Sequence, residues 1–194
     1  MNTDVAFSPA VREVQERRGS RRAYASLDER GGFQSMVTPE LAAFIAERDS
    51  FFLATASASG QPYVQHRGGP KGFLRVLGER TLGFADFRGN RQYVTVGNLA
   101  ENDRAFIFLM DFAERQRIKV WGRARVVEDD AALVERLMPE GYKARPEQAI
   151  LFTIEAWDAN CPQHIPRLYP EEHVARIVGD YEARIAALEA KLRG

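Results

Sequence analysis

The chain has 194 residues, a length that suits one domain with terminal extensions. Hydrophobic residues make up 45% and charged residues 28%, the balance expected of a soluble globular protein. Lys+Arg and Asp+Glu each number 27, and this zero net charge argues against a nucleic-acid surface.

The N-terminus, MNTDVAFSPA, lacks a basic stretch followed by an apolar run, and no apolar run approaches a membrane span. A cytoplasmic protein without membrane or nucleic-acid partners is the expectation. The single cysteine, Cys161, cannot form an internal disulfide, and no Cys/His spacing fits zinc.

Residues 1–37 are polar and arginine-rich. Ser8 as N-cap, Pro9 in the first turn and Gly19 as a stop predict a short helix. The basic cluster RGSRR beyond it reads as part of a solvated arm that wraps a neighbour or its own domain. A second helix follows at TPELAAFIAERDS, capped by Thr38, with Leu41, Phe44 and Ile45 on one face.

The period then changes to that of strands. Strand 51–57, a turn at Ser59-Gly60 and a strand from Pro62 are expected, then short strands at 72–77 and over TLGFADF. Residues 89–101 are read as a helix with Asn90 as N-cap. RAFIFLMDF is a nearly continuous apolar strand. RIKVWGRARVVED alternates, with Ile118, Val120, Gly122, Ala124 and Val126 on one face. A short helix over Asp129–Met138 and a last strand, QAILFTIEAWDAN, complete the pattern. Six or seven strands joined mostly by hairpins, with helices at the edges, predict an α+β protein built on a small antiparallel barrel.

The tail differs in character. Val174, Val178, Tyr181, Ile185, Leu188 and Leu192 recur at alternating spacings of four and three, a heptad seam. Such a helix either pairs with a partner subunit or packs on its own barrel.

No nucleophile motif, metalloprotease motif or phosphate-binding glycine loop is visible. His66, His164 and His173 are scattered, so no catalytic side chain and no metal site is assigned. What remains is a set of Arg, Asn, Gln and Gly residues near strand ends: Gln65-His66-Arg67-Gly68, the run Phe87–Gln92, Gln116 opening a strand, and the polar loop Asn160–Arg167. Arginines beside a helix N-terminus form an anion site suited to phosphate.

Over about residues 38–166 the chain resembles the flavin-nucleotide-binding proteins related to pyridoxamine 5′-phosphate oxidase. The resemblance lies in the helix, then FFLATASASGQPYVQHRGG, LGFADFRGNRQ and RAFIFLMDFAERQRIKVWGRARVV, in that order and spacing, with NCPQHIP as the ending of an uncharacterised branch. It implies a split β-barrel over residues 38–168, between an arm at 1–37 and a heptad helix at 169–194. It also implies FMN at a homodimer interface and an oxidoreductase acting on a small molecule.

Carried over by position, Gln65, His66 and Arg67 would line the flavin ring and ribityl chain, with Gly68 letting the backbone run close to it. Phe84 and Ala85 would sit beside the ring system. Arg88, Asn90, Arg91 and Gln92 would hold the phosphate. Gln116 would contact the flavin across the dimer, and Asn160, Cys161, Pro162, Gln163 and His164 would approach from the partner subunit. The oxidase that names the family grips its substrate with a basic C-terminal segment, whereas here IPRLYPEEH leads into an acidic helix. Vitamin B6 phosphates are therefore not the expected substrate. A non-catalytic flavin carrier or sensor, or the same fold binding deazaflavin or haem, are the alternatives.

Overall fold

The computed structural model describes residues 2–160 and 162–193. By internal contacts it forms two units, Met1–Met110 with Arg117–Asn160, and Asp111–Gln116 with Cys161–Gly194.

The first unit is a split β-barrel. Its strands are β1 (Ser50–Ala56), β2 (Pro62–Gly68), β3 (Arg75–Gly78), β4 (Thr81–Phe87), β5 (Arg104–Asp111), β6 (Gln116–Val127) and β7 (Pro146–Asn160). They form one sheet in the order β2-β1-β5-β6-β7-β4-β3, and every resolved ladder is antiparallel. The alternation expected for β6 is realised: Ile118, Val120, Gly122 and Ala124 are buried. Ile118, Val120 and Ala124 join Phe51, Leu53, Ile107, Leu109, Phe84, Phe152 and Ile154 in the main core. At β6 the register with β7 shifts between Trp121 and Gly122. A Cβ at Gly122 would lie 2.0 Å from the Thr153 carbonyl oxygen, so only glycine fits.

The helices follow their caps. α1 (Pro9–Arg17) starts where Ser8 Oγ accepts from Val11 N, and α3 (Pro39–Ala46) where Thr38 Oγ1 accepts from Leu41 N. α5 (Ala131–Leu137) is capped by Asp130.

Three local expectations are corrected. The polar arm contains a second helix, α2 (Arg21–Glu29), held by polar contacts more than by an apolar face. Arg21 donates to Gln15 Oε1 at 2.8 Å and to Asp28 Oδ2 at 2.6 Å, and Thr3 Oγ1 donates to Asp28. Of the two placements expected for the arm, it takes its own unit: Phe33 stacks on Trp121 at 5.3 Å and Gln34 bridges to Trp157. The strand expected at 72–77 begins only at Arg75, because Gly72 turns the chain with φ +74°. The helix expected from Asn90 begins later, as α4 (Val94–Glu101), because Arg91 and Tyr93 adopt positive φ.

In the second unit, α6 runs from Glu171 to Arg193, and Arg115 donates to the carbonyls of Pro162 and Ile165 at 3.0 and 3.2 Å. Among the described residues no helix is long and apolar enough to cross a membrane.

Candidate binding groove

β2 alternates strictly. Tyr63, Gln65 and Arg67 are half-buried on one face, whereas Val64, His66 and Gly68 are exposed on the other. The first three line a groove in the barrel unit together with Asp86, the loop 89–93 and the start of α4.

At the groove's floor Arg67 is ion-paired with Asp86 on β4, and both side chains are nearly buried, at 12% and 9% exposure. Asp86 stands in register with Gln148 of β7, whose amide donates to its second oxygen at 2.9 Å. The guanidinium also lies 5.8 Å from the Phe84 ring centroid. One donor is left over: Arg67 Nε is buried with no hydrogen-bond partner. A buried donor without an acceptor is costly, and an acceptor atom on a ligand in the groove would satisfy it.

Gln65 is oriented by Thr95, which donates from Oγ1 to Gln65 Oε1 at 3.0 Å. With its oxygen engaged, the Gln65 amide N–H groups are the part left to offer a ligand. α4 is fixed beneath by a buried hydrogen bond from Asn98 Nδ2 to Thr55 Oγ1 at 3.0 Å.

The loop before α4 is built for charge. Arg91 donates to the Tyr93 hydroxyl at 3.1 Å, Tyr93 to Glu147 at 3.4 Å, and Arg88 lies 3.8 Å from the same carboxylate. The Tyr93 hydroxyl, then the nearby Glu147 charge, hold the Arg91 pKa above its ordinary value. Arg91 therefore stays charged at any working pH. α4 opens without a side-chain cap, so the N–H groups of Val94, Thr95 and Val96, which have no intrahelical acceptor, are not satisfied by an N-cap. An uncapped helix start beside an arginine is an anion site.

The expected residues are not all gathered here. Gln65, Arg67, Asn90, Arg91 and Gln92 line the groove. Asn90 Oδ1 accepts from Gln92 N at 3.2 Å, shaping the loop rather than starting a helix. His66 points the other way, its ring edge-on to Phe52 at 5.7 Å. Phe84 and Ala85 are buried: Phe84 meets Phe51 at 5.2 Å and Ala85 packs with Leu137 and Ala149. Their side chains are spent on the core. The glycines after Arg67 also have an internal cause, since a Cβ at Gly69 would stand 2.8 Å from the Phe73 ring and one at Gly68 3.0 Å from His66. Gln116, Pro162, Gln163 and His164 are exposed residues of the second unit. Asn160 ends β7, and Cys161 lies outside the described residues.

Sequence reasoning missed Tyr63, Asp86, Thr95 and Glu147. Two of them carried a signal: Tyr63 shares the two-residue period of Gln65 and Arg67, and Asp86 is a carboxylate inside an otherwise apolar strand. The groove is small, with a cavity volume of about 40 Å³. Among the described residues no group of three or more His, Cys, Asp or Glu gathers to hold a metal ion.

Residues 37–161 match the family model of pyridoxamine 5′-phosphate oxidase. Among solved structures the chain is similar to HupZ of Group A Streptococcus, with 18% identity, a TM-score of 0.54, and coverage of 69% of this chain and 100% of that one. It is similar also to a candidate pyridoxamine 5′-phosphate oxidase from Lactobacillus delbrueckii, at 20% identity and a TM-score of 0.50, covering 64% and 95% of the two chains. An FMN-binding protein from Syntrophomonas wolfei gives 15% identity and a TM-score of 0.48, over 74% and 96%. No curated protein sequence matches.

Proposed function

The chain belongs to the pyridoxamine 5′-phosphate oxidase family, and on that premise we propose that it is an FMN-binding oxidoreductase of a small molecule, with the flavin held between two copies. The observation that carries this is the conjunction at one groove of an uncapped α4 start, the charged Arg91 and the unpartnered Arg67 Nε. A ligand with a phosphate at one end and hydrogen-bond acceptors along its length answers all three.

In this proposal the N–H groups of Val94–Val96 and the guanidinium of Arg91 hold the phosphate, with Arg88, Asn90 and Gln92 around it. Gln65 donates its amide to the ligand because Thr95 has taken its oxygen. Arg67 offers direction more than net charge, since Asp86 already neutralises it. Bound FMN would supply the redox chemistry at its ring, and the protein would position it and exclude water. A groove of about 40 Å³ is far below the roughly 300 Å³ of a typical small-molecule pocket. One copy therefore covers only an end of such a ligand, which supports a second copy completing the site. Gln116 and the stretch Asn160–His164, Cys161 included, are assigned to that completing role by the family resemblance.

The test is the absorbance spectrum of the purified protein, followed by chromatography of what heat releases. Flavin bands and released FMN are expected. A haem spectrum, or a colourless protein that takes up no added FMN, would overturn the proposal. Turnover of a reductant with an acceptor, against flavin reduction that stops at one equivalent, separates an oxidoreductase from a carrier.

A further inference from the structure

Helix α6 presents an apolar stripe with nothing of its own buried. It runs 23 residues, none of them buried, and its large apolar side chains range from 38% exposed at Ile177 to 87% at Leu192. A water-exposed helix of this kind gains little from propensity alone and draws its stability from covering its apolar face. Gly179 in its middle weakens it further.

The heptad assignment follows from the spacings. Val178, Ile185 and Leu192 fall at a, and Val174, Tyr181 and Leu188 at d. β-Branched residues at a with leucine at d favour two parallel strands; Val178, Ile185 and Leu188 follow that rule. The flanks then decide orientation. The g positions hold Ile177, Arg184 and Lys191, and the e positions Ala175, Glu182 and Glu189. In a parallel, in-register pair each g residue faces the e residue five positions on in the other helix, so Arg184 meets Glu189 twice by symmetry. In an antiparallel pair at full overlap, with Val174 opposite Leu192, g faces g and e faces e, which sets Arg184 against the other Arg184 and Glu182 against the other Glu182. Within its own chain Arg184 has no ion pair among the described residues, and Glu189 has only an exposed contact to Arg193 at 3.4 Å, of a kind worth little.

We propose that α6 pairs with the α6 of a second copy as a parallel, in-register two-stranded coiled coil, with Arg184–Glu189 pairs setting its direction. The inference stands apart from the flavin proposal, since a protein that binds no flavin would still zip. Three heptads are short for a free peptide, so the test uses the full chain.

In a Cys161→Ser background, Ile185→Cys and Leu192→Cys are each oxidised and followed on non-reducing gels. Both a positions should link to dimers readily, whereas Ala183→Cys, at the outward f position, should not. Adding Arg184→Glu should slow linkage of Ile185→Cys about tenfold, and adding Glu189→Arg to that variant should restore it. None of these charge changes touches the apolar stripe. Linkage of Ile185→Cys no faster than that of Ala183→Cys would overturn the proposal. So would preferential linkage of Val174→Cys to Leu192→Cys in mixed samples, the mark of antiparallel pairing, or equal rates for the single and double charge reversals.

Discussion

Arg67 on β2 and Asp86 on β4 form an ion pair although their strands stand first and sixth in the sheet order. The sheet curls until its two ends exchange side chains, and Phe51 on β1 meeting Phe84 on β4 records the same curvature in the core. The groove floor is thus a polar clasp across the split of the barrel. Asp86→Ala would leave a nearly buried guanidinium unpaired and should cost about 3 kcal/mol in urea unfolding. The double change Arg67→Met with Asp86→Leu should cost less than Asp86→Ala alone, because no charge is stranded. A single change no worse than the double would show the pair to be solvated.

On the proposed reading, phosphate recognition should separate from ring recognition. Arg91→Ala should weaken FMN binding about tenfold and leave riboflavin binding unchanged, as read by flavin fluorescence quenching. An equal loss for both ligands would move Arg91 away from the phosphate.

Thr95 acts through Gln65. Thr95→Val keeps the shape and removes the donor, leaving a glutamine oxygen unsatisfied at a cost of about 1 kcal/mol. Flavin affinity should fall with it, since the amide is free to turn its oxygen toward the ligand. Unchanged affinity beside lowered stability would confine Thr95 to a structural role.

Two glycines give opposite outcomes. Gly122→Ala drives a methyl into the Thr153 carbonyl, and thermal unfolding should report a loss of about 3 kcal/mol. Gly97 on α4 has open space around its Cβ position, so Gly97→Ala should stabilise by up to about 1 kcal/mol.

The arm carries a pH dependence. The Thr3 hydroxyl first, and Arg21 second, hold the Asp28 pKa below its ordinary 3.8. A carboxylate depressed in the folded state contributes stability above its unfolded pKa and loses it as pH falls through the folded value. Docking of the arm, followed by Trp121 fluorescence through its Phe33 stack, should therefore loosen only below about pH 3.8. Asp28→Asn should weaken docking at neutral pH and flatten the acid response.

The barrel was legible because its strands obey period two and two of its helices carry visible caps: Ser8 and Thr38 each receive the backbone N–H that the sequence pattern implies. Of the residues read from the sequence, Gln65 and Arg67 of β2 and the loop 90–92 line the groove, whereas His66 and Gly68 face away from it. The rest was hidden for physical reasons. α2 is held by long-range polar bonds to Thr3 and Gln15, which no periodicity reveals. Asn90 looks like an N-cap, but positive φ at Arg91 and Tyr93 moves the helix start, and that depends on the tertiary setting. Phe84 resembles a ring neighbour in sequence, but the structure buries the run Leu82–Asp86 around it. Asp86 becomes a site residue through β2 and β7, neither adjacent to it in sequence.

β4 lies between β3 and β7, not beside β5, which follows it in the chain. Asp86 therefore waits for Gln148 while α4, β5, β6 and α5 are made. During synthesis most of the residues that line the groove emerge early, but Glu147 and the Gln148 amide that supports Asp86 come only with the seventh strand. A chain arrested before β7 would lack Gln148 and Glu147, so on the proposed reading cofactor uptake would wait for the end of translation. Such non-local closure also predicts slow folding for a domain of this size.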